Sequence, residues 1–372
     1  MTMRRWLERL KAEWLLLAFA LLTLVLAFAD PQPAAAWKRW LQGPTLAGLA
    51  GLLIAIQGIR DSALVQHAAA LLAARAHSLR SLGLLLVTAT ALLSMVLTND
   101  VSLFVLVPLT VAIGGLSNLP VLRMVVLEAL AVNAGSTLSP IGNPQNLLLW
   151  QHGQLTFPDF AVAMLPASAV MFALVWALTW RWLPRERVAL APRALDGQPV
   201  ARGLAALSTV ALVAMVVLME YGHAVFGAGV LVLVYALVAR RSLARVDWLL
   251  LLTFAAIFLG LGHLAELPPV DAALDRLDFS QPLTLYLAGI LASQLISNVP
   301  ATVLLLERAH DPIALAVAVN VGGFGLAIGS LANLIALRLA RQPQGLRALH
   351  RVSVPFLLVC APLVYLAWRW LG

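Results

Sequence analysis

The sequence predicts an all-α polytopic membrane protein with two inverted-topology repeats, each containing a re-entrant hairpin and a broken transmembrane helix. Three observations predict this fold. First, 62% of the 372 residues are hydrophobic and only 11% are charged, whereas a soluble chain needs a charged exterior. Second, the apolar runs are continuous, which excludes the alternating strands of an outer-membrane barrel. Third, Asn and Gly motifs interrupt corresponding runs in the two halves.

Charge and cysteine content narrow the class further. The net charge is +8, but the basic residues lie in short loops between apolar runs, a pattern that indicates membrane orientation rather than nucleic-acid binding. Cys360 is the only cysteine, so a disulfide scaffold is excluded. Because it lies in an apolar run, we expect an inert, packed side chain.

The apolar runs give the elements in order. A span needs roughly 20 apolar residues, and full spans are predicted at 14–29, 45–59, 159–182, 203–219, 224–239, 248–263 and 352–368. Polar breaks divide 81–116 and 281–309 into re-entrant hairpins, and Gly, Pro and Asn clusters interrupt 120–150 and 312–337. Residues 62–79 are predicted to form an amphipathic helix on the membrane surface, with polar positions at Gln66, His67, Arg75 and His77.

The distribution of basic residues predicts the orientation. If each hairpin enters and leaves on one side, 20 of the 25 basic residues share the side of the amino terminus. We therefore expect the amino terminus and the 183–202 loop in the cytoplasm, with the chain in the inner (plasma) membrane. The start of the chain also imitates a secretory signal peptide. That alternative stays open, but the repeat requires the first helix to be retained.

Interfacial positions follow from this orientation. Trp180 and Trp182 are expected at the inner boundary of the membrane, and Trp37 and Trp40 at the outer one. His263 lies at the outer end of a predicted span, where solvation by the interface is the simplest expectation. Glu128 lies in an apolar helix near the inner boundary and is expected either to have a function or to face a polar vestibule.

The two interrupted helices share an internal repeat. Six identical pairs lie 187 residues apart without a gap: Asn133/Asn320, Gly135/Gly322, Ile141/Ile328, Gly142/Gly329, Asn146/Asn333 and Leu147/Leu334. We predict a first repeat over 1–182, a cytoplasmic loop and linker helix over 183–223, and a second repeat over 224–372. The single linker helix inverts the second repeat, an arrangement typical of secondary transporters.

Breaks at membrane depth predict a polar site. Unpaired backbone groups are tolerated there only inside protein or beside a polar cavity. Half-helix amino termini attract anions, and exposed carbonyls with Asn, Ser and Thr oxygens can coordinate sodium. Pro140, Pro144 and Pro300 end helices because they lack a donor.

At these motifs the sequence resembles the ion transporter superfamily, which includes arsenite permeases, sodium/proton antiporters, divalent anion–sodium symporters and citrate-transporter-like permeases. Residues 297–302 are similar to the hairpin tip of dicarboxylate carriers, and residues 322–333 to their glycine-rich break. Residues 133–146 take the same role in the first half, and residues 97–100 are closer to the tip of arsenite permeases. The resemblance implies an elevator-type carrier that forms a homodimer.

The resemblance also implies site residues. Substrate binding falls on Asn99, Asp100, Ser136, Thr137, Asn143, Asn298, Val299, Thr302, Gly323 and Ser330. Ion binding falls on Thr98, Asn99, Asp100, Gly135, Ser297, Asn298 and Gly322. Residues expected to shape the breaks are Pro140, Asn146, Pro300 and Asn333, and an amide at Asn143 can also cap broken backbone. Asp100 and Val299 stand where dicarboxylate carriers place Thr, which argues against a dicarboxylate.

Asp100 is the most informative candidate because an acid at bilayer depth is costly. It can bind a cation, carry a proton or hydrogen-bond a neutral oxyacid; the alternative is a helix N-cap. We expect a secondary active transporter for a small anion or its neutral acid, coupled to sodium or protons. A sodium/proton antiporter is the alternative, and an intramembrane enzyme a remote one. No cofactor other than sodium is expected, and the partners are the substrate, the bilayer and a second copy of the chain.

Overall fold

The computed structural model describes residues 14–73, 75–116, 120–153, 155–187, 199–340, 342 and 344–371. The basic amino terminus and most of the 183–202 loop, including Arg193, lie outside these residues. Within the described ranges the chain is helical, apart from one antiparallel bridge between Ser78 and Arg187. The prediction of an all-helical chain is confirmed.

The first half contains nine helices in the described residues. Capping side chains mark the amino-terminal ends of two of them. Ser78 and Ser81 form a capping box, and the Thr156 hydroxyl accepts from the Asp159 amide at 3.2 Å. The helices are α1 (Trp14–Ala29), α2 (Ala34–Trp40), α3 (Gly43–Asp61), α4 (Leu64–Ala73), α5 (Leu79–Leu97), α6 (Asn99–Leu116), α7 (Val121–Ser136), α8 (Pro144–Gly153) and α9 (Phe157–Trp182).

The remaining helices include the linker and the second half. Asp311 caps α17 by accepting from the amides of Ile313 and Ala314 at 2.9 and 3.2 Å. The helices are α10 (Arg202–Glu220), α11 (Ala224–Val238), α12 (Arg240–Arg245), α13 (Trp248–Glu266), α14 (Pro268–Leu274), α15 (Pro282–Ile296), α16 (Asn298–Leu305), α17 (Pro312–Val321), α18 (Leu331–Ala340) and α19 (Gly345–Leu371).

Six of the described helices are long and apolar enough to cross a membrane. They are α3, α5, α9, α10, α13 and α19, and the mean hydropathy of their best windows runs from 1.2 to 2.1. The two predicted hairpins and the two predicted broken helices are each divided into helices at the expected positions, and the first arm of the first hairpin, α5, is itself one of the six. The chain is therefore a multi-pass membrane protein whose polar breaks interrupt some of its apolar segments.

Packing arranges these helices in two groups that meet where α13 contacts α16. One group places α3 against α10 and α11, and α1 along α13. The other joins both hairpins to both broken helices: α5 packs along α7, α6 against α7 and α18, and α15 against α17. All four segments that carry the predicted site thus lie in one helical cluster, with α9 and α19 packed against it.

Trp180 and Trp182, predicted at the inner boundary of the membrane, contact arginines predicted on the same side of the membrane. The guanidinium groups of Arg80 and Arg185 lie over the Trp180 ring, 4.9 and 5.4 Å from its centroid, and Arg123 lies 5.6 Å from that of Trp182. Each contact is a cation–π interaction.

Two expectations are wrong. The surface helix of 62–79 is shorter, because α4 ends at Ala73 and Ser78 already caps α5. His263 is buried rather than solvated: its ring stacks on Trp40 at 4.7 Å and Nε2 lies 3.0 Å from Asp30 Oδ2. Trp40 is also buried, and its indole N–H donates to Glu266. The end of α13 is covered by α2 and the turn before it, which the hydropathy pattern did not reveal.

Candidate functional site

The two hairpin tips have the same backbone geometry. Helices α5 and α6 are separated only by Thr98 (φ 75°), and α15 and α16 only by Ser297 (φ 77°). Neither residue is a glycine, and a positive φ is costly for a side chain with a Cβ, so both tips are strained. Strain of this kind concentrates at ligand sites, where the surrounding structure holds it in place.

The Asn that follows each strained residue makes the same contact in both tips. Asn99 Oδ1 accepts from the Asp100 amide, and Asn298 Oδ1 accepts from the Val299 amide, each at 2.9 Å. The predicted pair Asn99 and Asn298 is therefore placed alike in the two halves. The amide N–H of Asn99 also donates to Gly142 O at 2.8 Å, which ties the first tip to the first broken helix.

Both broken helices are interrupted where the sequence predicts. Helix α7 ends at Ser136 and α8 begins at Pro144, while α17 ends at Val321 and α18 begins at Leu331. A short 3-10 turn at Ala327–Gly329 lies within the second break. Pro140 lies in the first break, and Pro144 and Pro300 lie in the first turn of their helices, so these prolines have the expected positions at the interruptions.

Four asparagines join the two breaks. Asn133 Nδ2 donates to Asn333 Oδ1 at 3.0 Å, and Asn320 Nδ2 donates to Asn146 Oδ1 at 2.6 Å. Each bond pairs the helix before one break with the helix after the other. Asn143 Nδ2 adds a bond to Asn320 Oδ1 at 2.9 Å. The two stretches of unwound backbone therefore form one connected polar network at the centre of the cluster.

The same amides also satisfy the broken backbone. Asn146 Nδ2 donates to the carbonyls of Ser136, Thr137 and Ser139 at 3.0–3.1 Å, and Asn333 Nδ2 donates to Gly323 O at 2.9 Å. These bonds support the expected architectural role of Asn146 and Asn333. They also engage Gly323 and Thr137, whose roles in substrate binding remain predictions.

The predicted glycines lie where backbones approach closely. A Cβ on Gly135 would lie 2.2 Å from Ala91 O, and one on Gly322 would lie 2.5 Å from Ser293 Cβ. The first arm of each hairpin is therefore packed directly against a broken helix. Gly142 and Gly329 are equally confined, because a Cβ there would lie 2.3 Å from Ser136 O or 2.6 Å from Gly322 O.

Several buried polar atoms near the tips and breaks have no protein partner. They are Asp100 Oδ1, Gln145 Oε1, Ser297 Oγ and Ser330 Oγ. Buried polar atoms are rarely left unsatisfied, so each points to a bound ion, water or substrate group. Asp100 Oδ1 caps no backbone amide among the described residues, which leaves the N-cap interpretation without support. Thr302, another predicted contact, donates to Asn298 O at 2.8 Å.

Glu128 lies in a different environment from the polar vestibule that was one of its two expected roles. It faces no vestibule: the side chain is fully buried, Oε1 accepts from Thr110 at 2.5 Å, and Oε2 has no partner. Apart from Thr110, a buried apolar cluster of α6, α7 and α18 lies around it. The expectation of a vestibule is therefore wrong, because α6 and α18 cover this face of α7.

Two features of the site were missed. Asn133 and Asn320 belonged to the repeat but were not assigned to the site, although the repeat itself was a sufficient signal. Gln294 gave no signal: its Nε2 donates to the carbonyls of Gly322 and Phe324 at 2.6 and 3.0 Å, and its Oε1 accepts from the Leu326 amide. The matching hairpin position in the first half is Met95, so no repeat marks it.

The tips and breaks are rich in oxygen atoms, which are suitable ligands for a hard cation. Among the described residues, no group of three or more His, Cys, Asp and Glu side chains is placed to hold a metal ion. Hydroxyl, amide, carbonyl and Asp100 carboxylate oxygens are what the tips and breaks provide, and these are the donors that sodium accepts in broken-helix transporters.

A polytopic helical protein with hairpin tips and broken helices joined in one polar centre has the architecture of a membrane transporter. The chain belongs to the citrate transporter family, whose model matches residues 6–313. It is 38% identical to the inner membrane protein YbiR of Escherichia coli over 351 residues, 93% of this chain and 94% of that protein.

Two further relatives are more distant. The uncharacterized transporter MJ0456 of Methanocaldococcus jannaschii is 29% identical over 327 residues, 87% of this chain and 88% of its own length. The silicon efflux transporter LSI3 of rice (Oryza sativa subsp. japonica) is 33% identical over 109 residues, 29% of this chain and 22% of its own. The expected resemblance to transporters of this type is confirmed.

Proposed function

We propose that this protein is a secondary active transporter that moves a small anion or its neutral acid across the inner membrane, coupled to sodium or protons. The observation that carries the proposal is the single polar network formed by the two breaks, with hairpin tips of matching geometry beside it. Unwound backbone at this depth is tolerated where it lines a substrate path. The name of YbiR supports the inner membrane.

Inverted repeats would explain the pairing of contacts. Thr98 and Ser297 lie 199 positions apart, as do Asn99 and Asn298. The equivalent asparagines of the two breaks lie 187 positions apart in sequence. Each of their two hydrogen bonds joins an asparagine of the first half to one of the second half. Such reciprocal contacts are what a pseudo-two-fold axis through the polar centre produces. We infer two inverted repeats, over 1–182 and 224–372.

An elevator movement would use the two helical groups. The hairpins and broken helices form one compact cluster, while α3, α10 and α11 form a separate group. In an elevator the first group would slide as a transport domain against the second, and the second would dimerise. The exposed apolar residues of α10 and α11, such as Val210, Phe226 and Leu233, are available to lipid or to a second copy.

The cargo is proposed only by class. Asn, Ser and Thr oxygens with backbone N–H groups can hold carboxylates, inorganic oxyanions and neutral oxyacids. One relative is named for silicon efflux and the family is described by citrate, so similarity does not select a single substrate. Ser297 Oγ, Ser330 Oγ and Asp100 Oδ1 are the unsatisfied atoms that would receive substrate or coupling ion.

Uptake into proteoliposomes tests the proposal. A panel of citrate, sulfate, phosphate, arsenite and silicic acid would be presented with a sodium or a proton gradient. We expect one or more to accumulate unchanged, and Asn298→Ala to abolish that uptake while leaving the folded yield intact. Thr209→Ala is the matched control because its hydroxyl makes only a local bond to Ala205 O. Normal uptake by the Asn298 variant would discredit the site.

A sodium/proton antiporter is the second candidate, favoured by one observation. The Asp100 carboxylate is buried at the first tip with one oxygen unpartnered, as a cation or proton carrier requires. Sodium movement linked to pH in vesicles that contain no anion substrate would support this candidate over anion transport.

A further inference from the structure

A cavity of about 570 Å³ lies beside the first hairpin tip. Thr98 and Asp100 of the tip form part of its wall, and the opposite wall comes from α3 and from the segment around α12 and the start of α13. Three arginines, one from each of three segments, line it: Arg60, Arg245 and Arg338. The cavity therefore lies between the two helical groups and leads directly to the predicted site.

Two of these guanidinium groups have no anionic partner. No described carboxylate lies within 4 Å of Arg60 or Arg338. Arg60 lies instead over the Phe104 ring of α6, 4.9 Å from its centroid, which holds it against the hairpin. Arg245 makes one long contact, 3.4 Å from Nη1 to Asp61 Oδ1, and its side chain is 67% exposed. Guanidinium donors are therefore available to a ligand in this cavity.

The acidic residues near this cavity do not pair with Arg60 or Arg338 among the described residues. Asp247 accepts from the Leu250 amide at 3.1 Å and caps α13. Asp100 lies at the tip. Asp61, the partner of Arg245, is a third carboxylate beside the three guanidinium groups, so the unbalanced positive charge lies at Arg60 and Arg338. Low-dielectric walls concentrate such a potential and raise the local concentration of anions.

A second cavity, of about 450 Å³, has the opposite character. Its two arginines are already neutralised: Arg39 pairs with Glu266, and Arg308 pairs with Asp271 and Asp275. Glu307 also lines it. This cavity has four carboxylates and two guanidinium groups. The lining of the second cavity is therefore net negative, whereas Arg60 and Arg338 of the first cavity have no carboxylate partner among the described residues.

We propose that the first cavity is an anion-binding entrance, in which Arg60, Arg245 and Arg338 hold a small oxyanion of two or more negative charges next to the first hairpin tip. Its place on a transport path rests on the proposed function, but the binding itself does not. Forked guanidinium donors match the oxygens of carboxylate, sulfate and phosphate. The entrance would therefore favour a charged oxyanion over a neutral acid, and it adjoins the first hairpin tip while lying apart from the asparagine network of the breaks.

Direct binding of radiolabelled sulfate to the full chain in nanodiscs tests the entrance. We expect saturable binding that unlabelled phosphate or citrate displaces and that chloride at equal ionic strength does not. Arg60→Gln and Arg338→Gln should each weaken binding about tenfold, the loss of one charge-assisted contact. Arg60→Lys and Arg338→Lys, which keep the charge and report on any folding defect, should lose less.

Two controls separate this inference from the transport proposal. Arg39→Gln alters the other cavity and should bind sulfate like the wild type. Thr209→Ala, on an exposed face of α10, should also bind sulfate like the wild type. Binding without any uptake by the wild type would overturn the transport proposal and leave the entrance standing.

Three results would overturn the entrance. One is the absence of saturable binding of sulfate, phosphate and citrate to the wild type. Another is wild-type affinity in both Arg→Gln variants. The third is displacement by chloride at the same ionic strength, because that result would show screening of charge rather than a site.

Discussion

The side-chain amide of Asn133 donates a hydrogen bond to Asn333 Oδ1 at 3.0 Å, and the two residues, which belong to different breaks, are 200 positions apart in sequence. Asn320 and Asn146 make the reciprocal bond at 2.6 Å. Each break is therefore completed by amides from the other half as well as from its own. Because buried polar groups are costly to leave unpaired, the two halves stabilise each other's unwound backbone.

Loss of one of these amides should destabilise the whole centre. Asn320→Ala removes the donor to Asn146 Oδ1 and one acceptor of Asn143 Nδ2, which leaves the buried Asn146 Oδ1 unsatisfied, so we expect a loss of about 1–3 kcal/mol. Thermal unfolding of the purified variant measures it. Thr209→Ala, on a lipid-exposed face, should change stability by less than about 0.5 kcal/mol. Equal stability of the two variants would contradict the network.

Glycine is expected to be required where the hairpins meet the broken helices. Gly135→Ala and Gly322→Ala place a Cβ against Ala91 O and Ser293, and overpacking of this kind costs about 1–3 kcal/mol. Folded yield and thermal stability are the measurements. Gly229→Ala is the matched control, because a Cβ there meets nothing within 4 Å. Wild-type stability of both site variants would show that the arms can separate freely.

Asp100→Asn should alter the coupling ion rather than the fold. The asparagine keeps the size of the side chain and removes the charge that would bind a cation or proton at the tip. Uptake measured against pH and sodium concentration should lose one of these dependences. An unchanged coupling profile would remove Asp100 from ion binding.

The contact between Asp30 and His263 should make the stability of the protein depend on pH. Hydrogen bonds from His263 and Gln32 hold the pKa of Asp30 below its ordinary value of 3.8. A carboxylate with a lowered pKa contributes stability above its unfolded pKa, and the contribution is lost as pH falls through the folded pKa. The difference in melting temperature between the wild type and Asp30→Asn should therefore be full near neutral pH and vanish below that pKa. A difference that stays constant from pH 7 to pH 2 would contradict the contact.

The sequence was sufficient for the membrane class and for the positions of the breaks. Long apolar runs have few stable alternatives to helices in lipid, and Asn, Gly and Pro at membrane depth mark where a helix cannot continue. Thr98, Ser297 and the ends of α7 and α17 therefore fall where the motifs predicted. The repeat of 187 residues also identified Asn133, Asn146, Asn320 and Asn333 before their contacts were known.

Contacts between distant segments could not be predicted in the same way. Periodicity and hydropathy report on one helix at a time, so they gave no sign that α2 and the preceding turn bury His263, that α6 and α18 enclose Glu128, or that Gln294 completes the second break. The meeting of Arg60 and Arg338 could not be predicted for the same reason. Their sequence neighbours are ordinary loop and helix residues, and only packing brings the two guanidinium groups into one cavity.

By itself the sequence determined which segments enter lipid and where their hydrogen bonding stops, because those properties are set by local composition. Only the tertiary structure decided which amides cross between the breaks, which acids are enclosed and which cavity carries unpaired positive charge. These depend on side chains up to 200 residues apart meeting at hydrogen-bond distance, and no local pattern specifies such a meeting.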